Sequence, residues 1–389
     1  MRRYVILKKV GPSSRGGSRG DGLKAMGAAR AEPVTFERLT ERAAAAMARE
    51  PEVEAIAPAM RTRLIKPLAA ALSHSGDVWG LDAVGATRSS FTGAGVTMAV
   101  LDTGIDDKHP AFQGVQLEQR DFTGEGDGDG EGHGTHCAAT IFGRDVEGTR
   151  IGVAPGITRT LIGKVLGAGG SGDSQMLVEG IQWAVNNGAN IVSMSLGFDF
   201  PGMVAEWVDD DWPVDLATSN ALEAYRVNLR VLDAILNLTK AQGALGSGGA
   251  LIVAASGNES QRDKHPEWKI AASLPAAALE VVSVAAVGRE GDLLKVADFS
   301  NSLPLVCAPG VDILSARAGG GLVALSGTSM ACPHVAGVAA LWWEAIKARR
   351  LKPTATNVLA QLLSTANRER FKDDGLEEDV GQGLIAAPL

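Results

Sequence analysis

Three short segments each carry one side chain suited to acyl transfer: Asp102 in Val100-Leu-Asp-Thr-Gly, His136 in Gly132-His-Gly-Thr-His-Cys137, and Ser329 in Gly327-Thr-Ser-Met-Ala-Cys-Pro-His334. A serine hydroxyl is a weak nucleophile at neutral pH. It needs a base within hydrogen-bond reach, and the base needs an orienting partner. Ser329 is expected as nucleophile, His136 as base and Asp102 as the orienting carboxylate. Each alone is weak, because an aspartate after a strand, a buried histidine or a serine at a helix start has ordinary structural uses. Their joint occurrence points to hydrolysis through an acyl-enzyme. Ser329 is expected to open a helix with Pro333 in its first turn, where proline is tolerated and free N–H groups favour an anion. Asn258, in Ala254-Ala-Ser-Gly-Asn-Glu259, is the expected second donor to an oxyanion.

The elements that must position these groups follow from hydrophobic patterning. Residues 3–10 read as a strand, 35–50 as a helix with Leu39, Ala43, Ala46 and Met47 on one face, and 53–57 as a second strand. From about Gly76 glycine-rich turns separate continuous aliphatic runs at 96–101, 160–165, 191–196, 251–255 and 281–287. Continuous rather than alternating runs suit strands buried on both faces. Helical stretches at 174–187, 216–242 and 330–349 lie between them, so the expected architecture is α/β: a doubly wound, mostly parallel sheet flanked by helices, with a small N-terminal α/β domain. The expected division is 1–75 and 76–389. Asp102 directly follows an apolar run, where such sheets place their ligands.

Composition narrows the class. A chain of 389 residues, 45% hydrophobic, builds an adequate core without staples. Three cysteines make no disulfide framework, and the start lacks a signal-type apolar run, so a cytoplasmic setting is expected. No apolar run is long enough for a membrane span. Residues 1–75 hold 14 Lys+Arg against 7 Asp+Glu, a balance of +7, leaving −15 on the remainder of a chain whose net charge is −8. Opposite potentials favour docking of one segment on the other, and an acidic bulk disfavours nucleic acid as a partner.

These segments resemble the subtilisin-like serine proteases, the subtilases, from about Val78 to Ile385. The same likeness runs through Ile151-Gly-Val-Ala-Pro155, Gly180-Ile-Gln-Trp-Ala184, Ser193-Met-Ser-Leu-Gly197, Ala308-Pro-Gly310 and Gly381-Gln-Gly-Leu-Ile385. The order Asp, His, Ser is that of subtilisin. The resemblance implies Asp102, His136 and Ser329 as triad, with Asn258 and the Ser329 N–H as oxyanion hole. It also implies that Gly170, Ser171 and Gly172 on one side and Ser195, Leu196 and Gly197 on the other bind the backbone of a protein or peptide substrate as added strands. Residues 1–75 resemble the family's inhibitory propeptide, which implies a zymogen whose N-terminal segment inhibits or chaperones the protease, with residues 61–75 expected in the cleft as a product-like strand. No cofactor is required for the chemistry.

Alternatives stay open. A same-fold acyl transferase or peptide ligase and a catalytically silent binding module use the same cleft. Asp121, Asp127 and Asp129, on a glycine-rich loop, are hard oxygen ligands suited to calcium, or simply a solvated acidic turn. Ala111 stands where many subtilases carry a calcium-ligating aspartate. Cys137 and Cys332 are expected as small packing residues beneath the site, with thiol sensitivity the other reading. Residues 198–249 form an insertion, with Leu222, Tyr225, Leu229, Leu232 and Leu236 at helical spacing, that packs normally or rims the cleft.

Overall fold

A computed structural model describes residues 1–9, 34–69, 78–242, 249–372 and 377–389. The glycine-rich loop at 11–22 and the end of the cleft segment at 70–75 lie outside the described residues. Two compact units form, one from residues 1–60 and 200–235 and the other from 61–199 and 236–389. Sequence texture placed the division at 75/76. By contacts, residues 61–69 belong with the second unit and the insertion residues 200–235 with the first.

The first unit holds a three-stranded antiparallel sheet of β1 (Arg2–Lys8), β2 (Val34–Leu39) and β3 (Val53–Pro58), with β1 central. Tyr4 to Leu7 are buried. The helix expected from Thr35 begins only at Glu41: residues 35–39 pair with β1, Val5 opposite Phe36 and Ile6 opposite Thr35. β-branched and aromatic residues favour the strand there. Thr40 then caps the helix, its Oγ1 accepting from Ala43 N at 3.2 Å. Within this unit Asn228 Nδ2 donates to Pro58 O at 3.2 Å, Arg230 pairs with Glu54 at 2.6 Å and Arg2 with Asp210 at 2.9 Å. The helix Val214–Gln242 buries Ala217, Ala221, Ala224, Val227, Val231 and Ile235, a stripe of mostly small residues. Of the residues expected on one face of this helix, Leu232 and Leu236 are also buried, Tyr225 and Leu229 are half-buried, and Leu222 is exposed.

In the second unit the continuous apolar runs become buried strands. In chain order the strands of this unit are β4 (Arg61–Leu64), β5 (Leu68–Ala69), β6 (Thr97–Asp102), β7 (Gln116–Asp121), β8 (Arg159–Lys164), β9 (Ser171–Asp173), β10 (Ile191–Met194), β11 (Leu196–Phe198), β12 (Leu251–Ala255), β13 (Val281–Glu290), β14 (Leu293–Val296), β15 (Val306–Pro309), β16 (Ile313–Ala316) and β17 (Leu322–Ser326). An eight-stranded sheet runs β14-β13-β12-β10-β6-β8-β7, with β15 also on β13. Every pairing in it is parallel except β13 with β14. The helices His133–Phe142 and Thr328–Ala348 pack on each other and on the sheet. From β6 the chain adds β8 and β7 on one side, then β10, β12 and β13 on the other. A doubly wound sheet opens a crevice at the carboxyl ends where its order reverses, here between β6 and β10. Among the described residues no helix is long and apolar enough to cross a membrane.

Candidate active site

Asp102 is the last residue of β6 and is buried. Its Oδ1 accepts from Thr103 N at 2.8 Å and lies 2.7 Å from Nδ1 of His133, not of His136. This corrects the expectation for the histidine. His133 is the first residue of its helix, at the edge of the sheet, whereas His136, a turn deeper, reaches Ile313 O at 3.0 Å and Val323 O at 3.3 Å through Nε2. Its other nitrogen is buried without a partner among the described residues. His136 therefore ties the helix to the β16–β17 hairpin. The sequence offered two histidines three positions apart. The usable signal was that a helix N-terminus facing a strand end is open to ligands while its second turn is covered.

Electrostatics separate the two rings. Burial presses both toward the neutral form. At His133 the adjoining Asp102 carboxylate and Cys137 overcome this and hold its pKa well above the usual value. At His136 burial, with the charge on His133 adding to it, lowers the pKa to about 3.

Asp129 aligns the acid and the imidazole. Its Oδ1 accepts from Thr103 Oγ1 at 2.8 Å and Gly132 N at 2.8 Å, and its Oδ2 from Thr135 N at 2.8 Å and Thr135 Oγ1 at 2.6 Å. Thr103 follows Asp102, and Gly132 and Thr135 flank the start of the histidine helix, so one carboxylate joins strand end to helix start. Asp121 is likewise spent on its own turn, accepting from Thr123 N at 2.8 Å, Thr123 Oγ1 at 2.6 Å and Gly126 N at 2.7 Å. Asp127 is exposed. The structure thus does not gather Asp121, Asp127 and Asp129 as a ligand set: among the described residues only Asp102, His133 and Cys137 form a group able to share an ion. A chelator is expected to leave the melting temperature of the full chain unchanged, measured by calorimetry with and without added calcium. A calcium-dependent rise would restore the loop as a metal site.

The glutamates of that loop serve the neighbouring edge. Glu125 accepts from Ala168 N at 2.9 Å and Glu131 from Gly169 N at 2.9 Å, holding the turn that leads into β9. Gly170 in that turn has φ +68°, and a side chain there would meet Leu64 at 2.6 Å.

Ser329 is the second residue of the helix Thr328–Ala348, within the first turn whose N–H groups lack intrahelical acceptors. Pro333 lies beyond the first turn, inside the helix, correcting the expected placement. Lacking an N–H, it cannot take the Ser329 carbonyl. Cys137 Sγ (3.3 Å) and Ser195 Oγ (3.2 Å) donate to that oxygen instead. Cys137 thus lies beneath the site as expected. Cys332 faces Met194 O at 3.5 Å, and burial pushes its thiol up to about 12. Asn258 follows β12 after Gly257, whose φ is +116°. Its Oδ1 accepts from Thr328 N and Oγ1, both at 2.9 Å, which aims Nδ2 outward to Lys66 O at 3.2 Å.

Both expected edges hold a strand. β4 lies antiparallel between β9 and β11, with Thr62 opposite Gly172 and Phe198, and Arg63 opposite Ser171 and Gly197. Gly170 abuts Leu64 and Leu196 pairs with it, while Ser195 presents its carbonyl 3.4 Å from Ser329 Oγ. The same hydroxyl is 3.3 Å from Ile65 O. Beyond Pro67 the chain pairs again, Leu68 of β5 opposite Ser326 of β17. The expected product-like strand is continuous past Ser329 rather than ending there.

A carboxylate, an imidazole and a hydroxyl at the carboxyl edge of a doubly wound parallel sheet, beside two strand-binding edges, define the subtilisin-like class of fold and site. The model of the Subtilase family matches residues 93–383, and the chain belongs to that family. It is 34% identical over 298 residues to Subtilisin Savinase of Lederbergia lenta, covering 72% of this chain and 91% of that protein. It is 34% identical over 298 residues to M-protease of Shouchella clausii (strain KSM-K16), where it spans 72% of this chain but 65% of that protein. The Major intracellular serine protease of Bacillus subtilis (strain 168) is 33% identical over 255 residues, 64% of this chain and 68% of that protein.

Proposed function

We propose that the chain is a serine endopeptidase that cleaves protein or peptide substrates through an acyl-enzyme on Ser329 and is held inactive by its own N-terminal segment. The observation that carries this reading is the strand threaded past Ser329, its Ile65 carbonyl 3.3 Å from the hydroxyl, beside an Asp102–His133 pair at 2.7 Å. In this reading His133 takes the Ser329 proton as the hydroxyl attacks the substrate carbonyl, then returns it to the leaving amine. Asp102 fixes the ring and stabilises its charged form. The Asn258 amide and the Ser329 N–H receive the oxyanion. Water then repeats the sequence on the ester, and no cofactor is needed.

Inhibition follows from the same contacts. The Asn258 amide is engaged with Lys66 O, one residue past the carbonyl nearest the nucleophile, so the oxyanion donor is occupied out of register. Ladder hydrogen bonds on both sides of Ser329 keep the segment there. Three buried free cysteines and the intracellular relative support a reducing, cytoplasmic setting. A fluorophosphonate probe tests the chemistry: it is expected to modify Ser329 in the activated chain and to leave Ser329→Ala unmodified, with peptide hydrolysis lost in parallel. An activated wild-type chain that takes no label would refute the hydrolase.

A further inference from the structure

Counting back from Ile65, whose carbonyl faces Ser329, as first, Arg63 is third. Along a strand alternate side chains face opposite ways. Thr62 and Leu64 are buried, while Arg63 points outward. Its guanidinium is nevertheless gripped from two sides, by Asp199 at 2.9 Å and Glu259 at 3.2 Å.

Glu259 is held by groups of the cleft itself, and Asp199 follows a cleft strand while also meeting the bound segment. Asp199 follows β11, and its N–H donates to Arg61 O at 3.0 Å. Glu259 is next to Asn258, and its second oxygen accepts from Nδ2 of the fully buried Asn301 at 2.7 Å. Asn301 Oδ1 also accepts from Glu259 N and Ser260 N, each at 3.1 Å. The acceptor is thus oriented by groups that do not depend on the arginine, which reduces the ordering cost of binding one. Any substrate extended along β9 and β11 in the register of β4 brings its third side chain to the same place.

We infer that Asp199 and Glu259 are specificity-determining residues that select peptides with an arginine three residues before the cleaved bond. This rests on the hydrolase reading above. Arg63 is 39% exposed, so each pair is individually modest, and the selection is graded rather than absolute. A planar guanidinium spanning two carboxylates favours arginine over lysine.

The test uses the full-length chain, activated by the same limited proteolysis for every variant, with active sites titrated by a fluorophosphonate. Four-residue peptide amides that differ only at the third position are compared. Arginine is expected to exceed glutamine by about tenfold in kcat/KM, chiefly through KM, and glutamate to fall lower still. The preference is expected to shrink in high salt. D199N/E259Q abolishes it, and D199K/E259K reverses it toward glutamate. In the intact chain, R63Q is expected to speed labelling of Ser329 several-fold, with no further gain when combined with D199N/E259Q. Equal kcat/KM for arginine and glutamine peptides on a labelled wild-type enzyme would overturn the specificity while leaving the hydrolase standing. A wild type that neither labels nor cleaves would overturn both.

Discussion

His133→Ala abolishes fluorophosphonate labelling and peptide hydrolysis, with turnover falling by about 10⁶-fold, the scale established for removing the triad histidine of subtilisin. His136→Ala gives a different result. It removes a ring that donates to Ile313 O and Val323 O, so it lowers stability by about 2 to 4 kcal/mol and leaves turnover per folded molecule within about tenfold. Melting curves and active-site titration separate the two effects. If His136→Ala were the inactive variant and His133→Ala the active one, the assignment of the base would be wrong.

The pH dependence of this pair follows from its two environments. His133 must be neutral to accept a proton, yet Asp102 and Cys137 hold its pKa well above the usual value against the opposing effect of burial. Labelling of Ser329 therefore rises as pH climbs through that raised pKa, and His133→Ala removes the slope. Stability has the opposite sign at the other rings. Burial lowers His136 to about 3 and His334 to about 4, so both stay neutral in the fold. Unfolded histidines titrate near 6.5. The stability tied to these neutral rings is complete above about pH 6.5 and declines below it, by up to about 1.4 kcal/mol per pH unit for each. His133, with a raised pKa, contributes stability that is complete below about pH 6.5 and is lost as pH rises through its folded value.

The second large effect concerns the segment in the cleft. Leu64→Asp is expected to raise the labelling rate of Ser329 in the uncleaved chain by about 10²- to 10³-fold, because it places an unpaired carboxylate in the buried slot beside Gly170 and so favours release of the strand. The strand bonds to β9 and β11 compete with that penalty but contribute only about 1 kcal/mol each. Leu64→Met, which keeps volume and polarity, serves as the control and labels at the wild-type rate. Equal labelling of wild type, Leu64→Asp and Leu64→Met would show that the segment does not govern access to the nucleophile.

Much of this protein was legible in the order of its residues. Runs such as Leu251–Ala255 are apolar on both faces, which suits a strand buried in a parallel sheet, and their alternation with helical stretches gave the doubly wound sheet. Asp102 and Asn258 were found because each follows such a strand, at the carboxyl edge where this architecture opens. The two edges around Gly170–Gly172 and Ser195–Gly197 were found through family likeness rather than pattern.

What only the tertiary structure decided were choices between chemically equivalent residues. His133 and His136 share a type and a helix, and Asp102 lies 31 positions from one and 34 from the other. Which ring meets it depends on where the helix starts relative to β6, set by Asp129 through its bonds to Thr103, Gly132 and Thr135. The acidic loop was ambiguous for the same reason, because a carboxylate that binds an ion and one that caps backbone amides look alike until the amides are placed. Residues 35–39 have helical spacing at one end and strand-forming Thr35 and Phe36 at the other, and pairing with β1 chose the strand. Local sequence fixes which atoms are available, but partners far apart in the chain determine which of them meet, because burial and hydrogen-bond geometry are properties of the assembled fold.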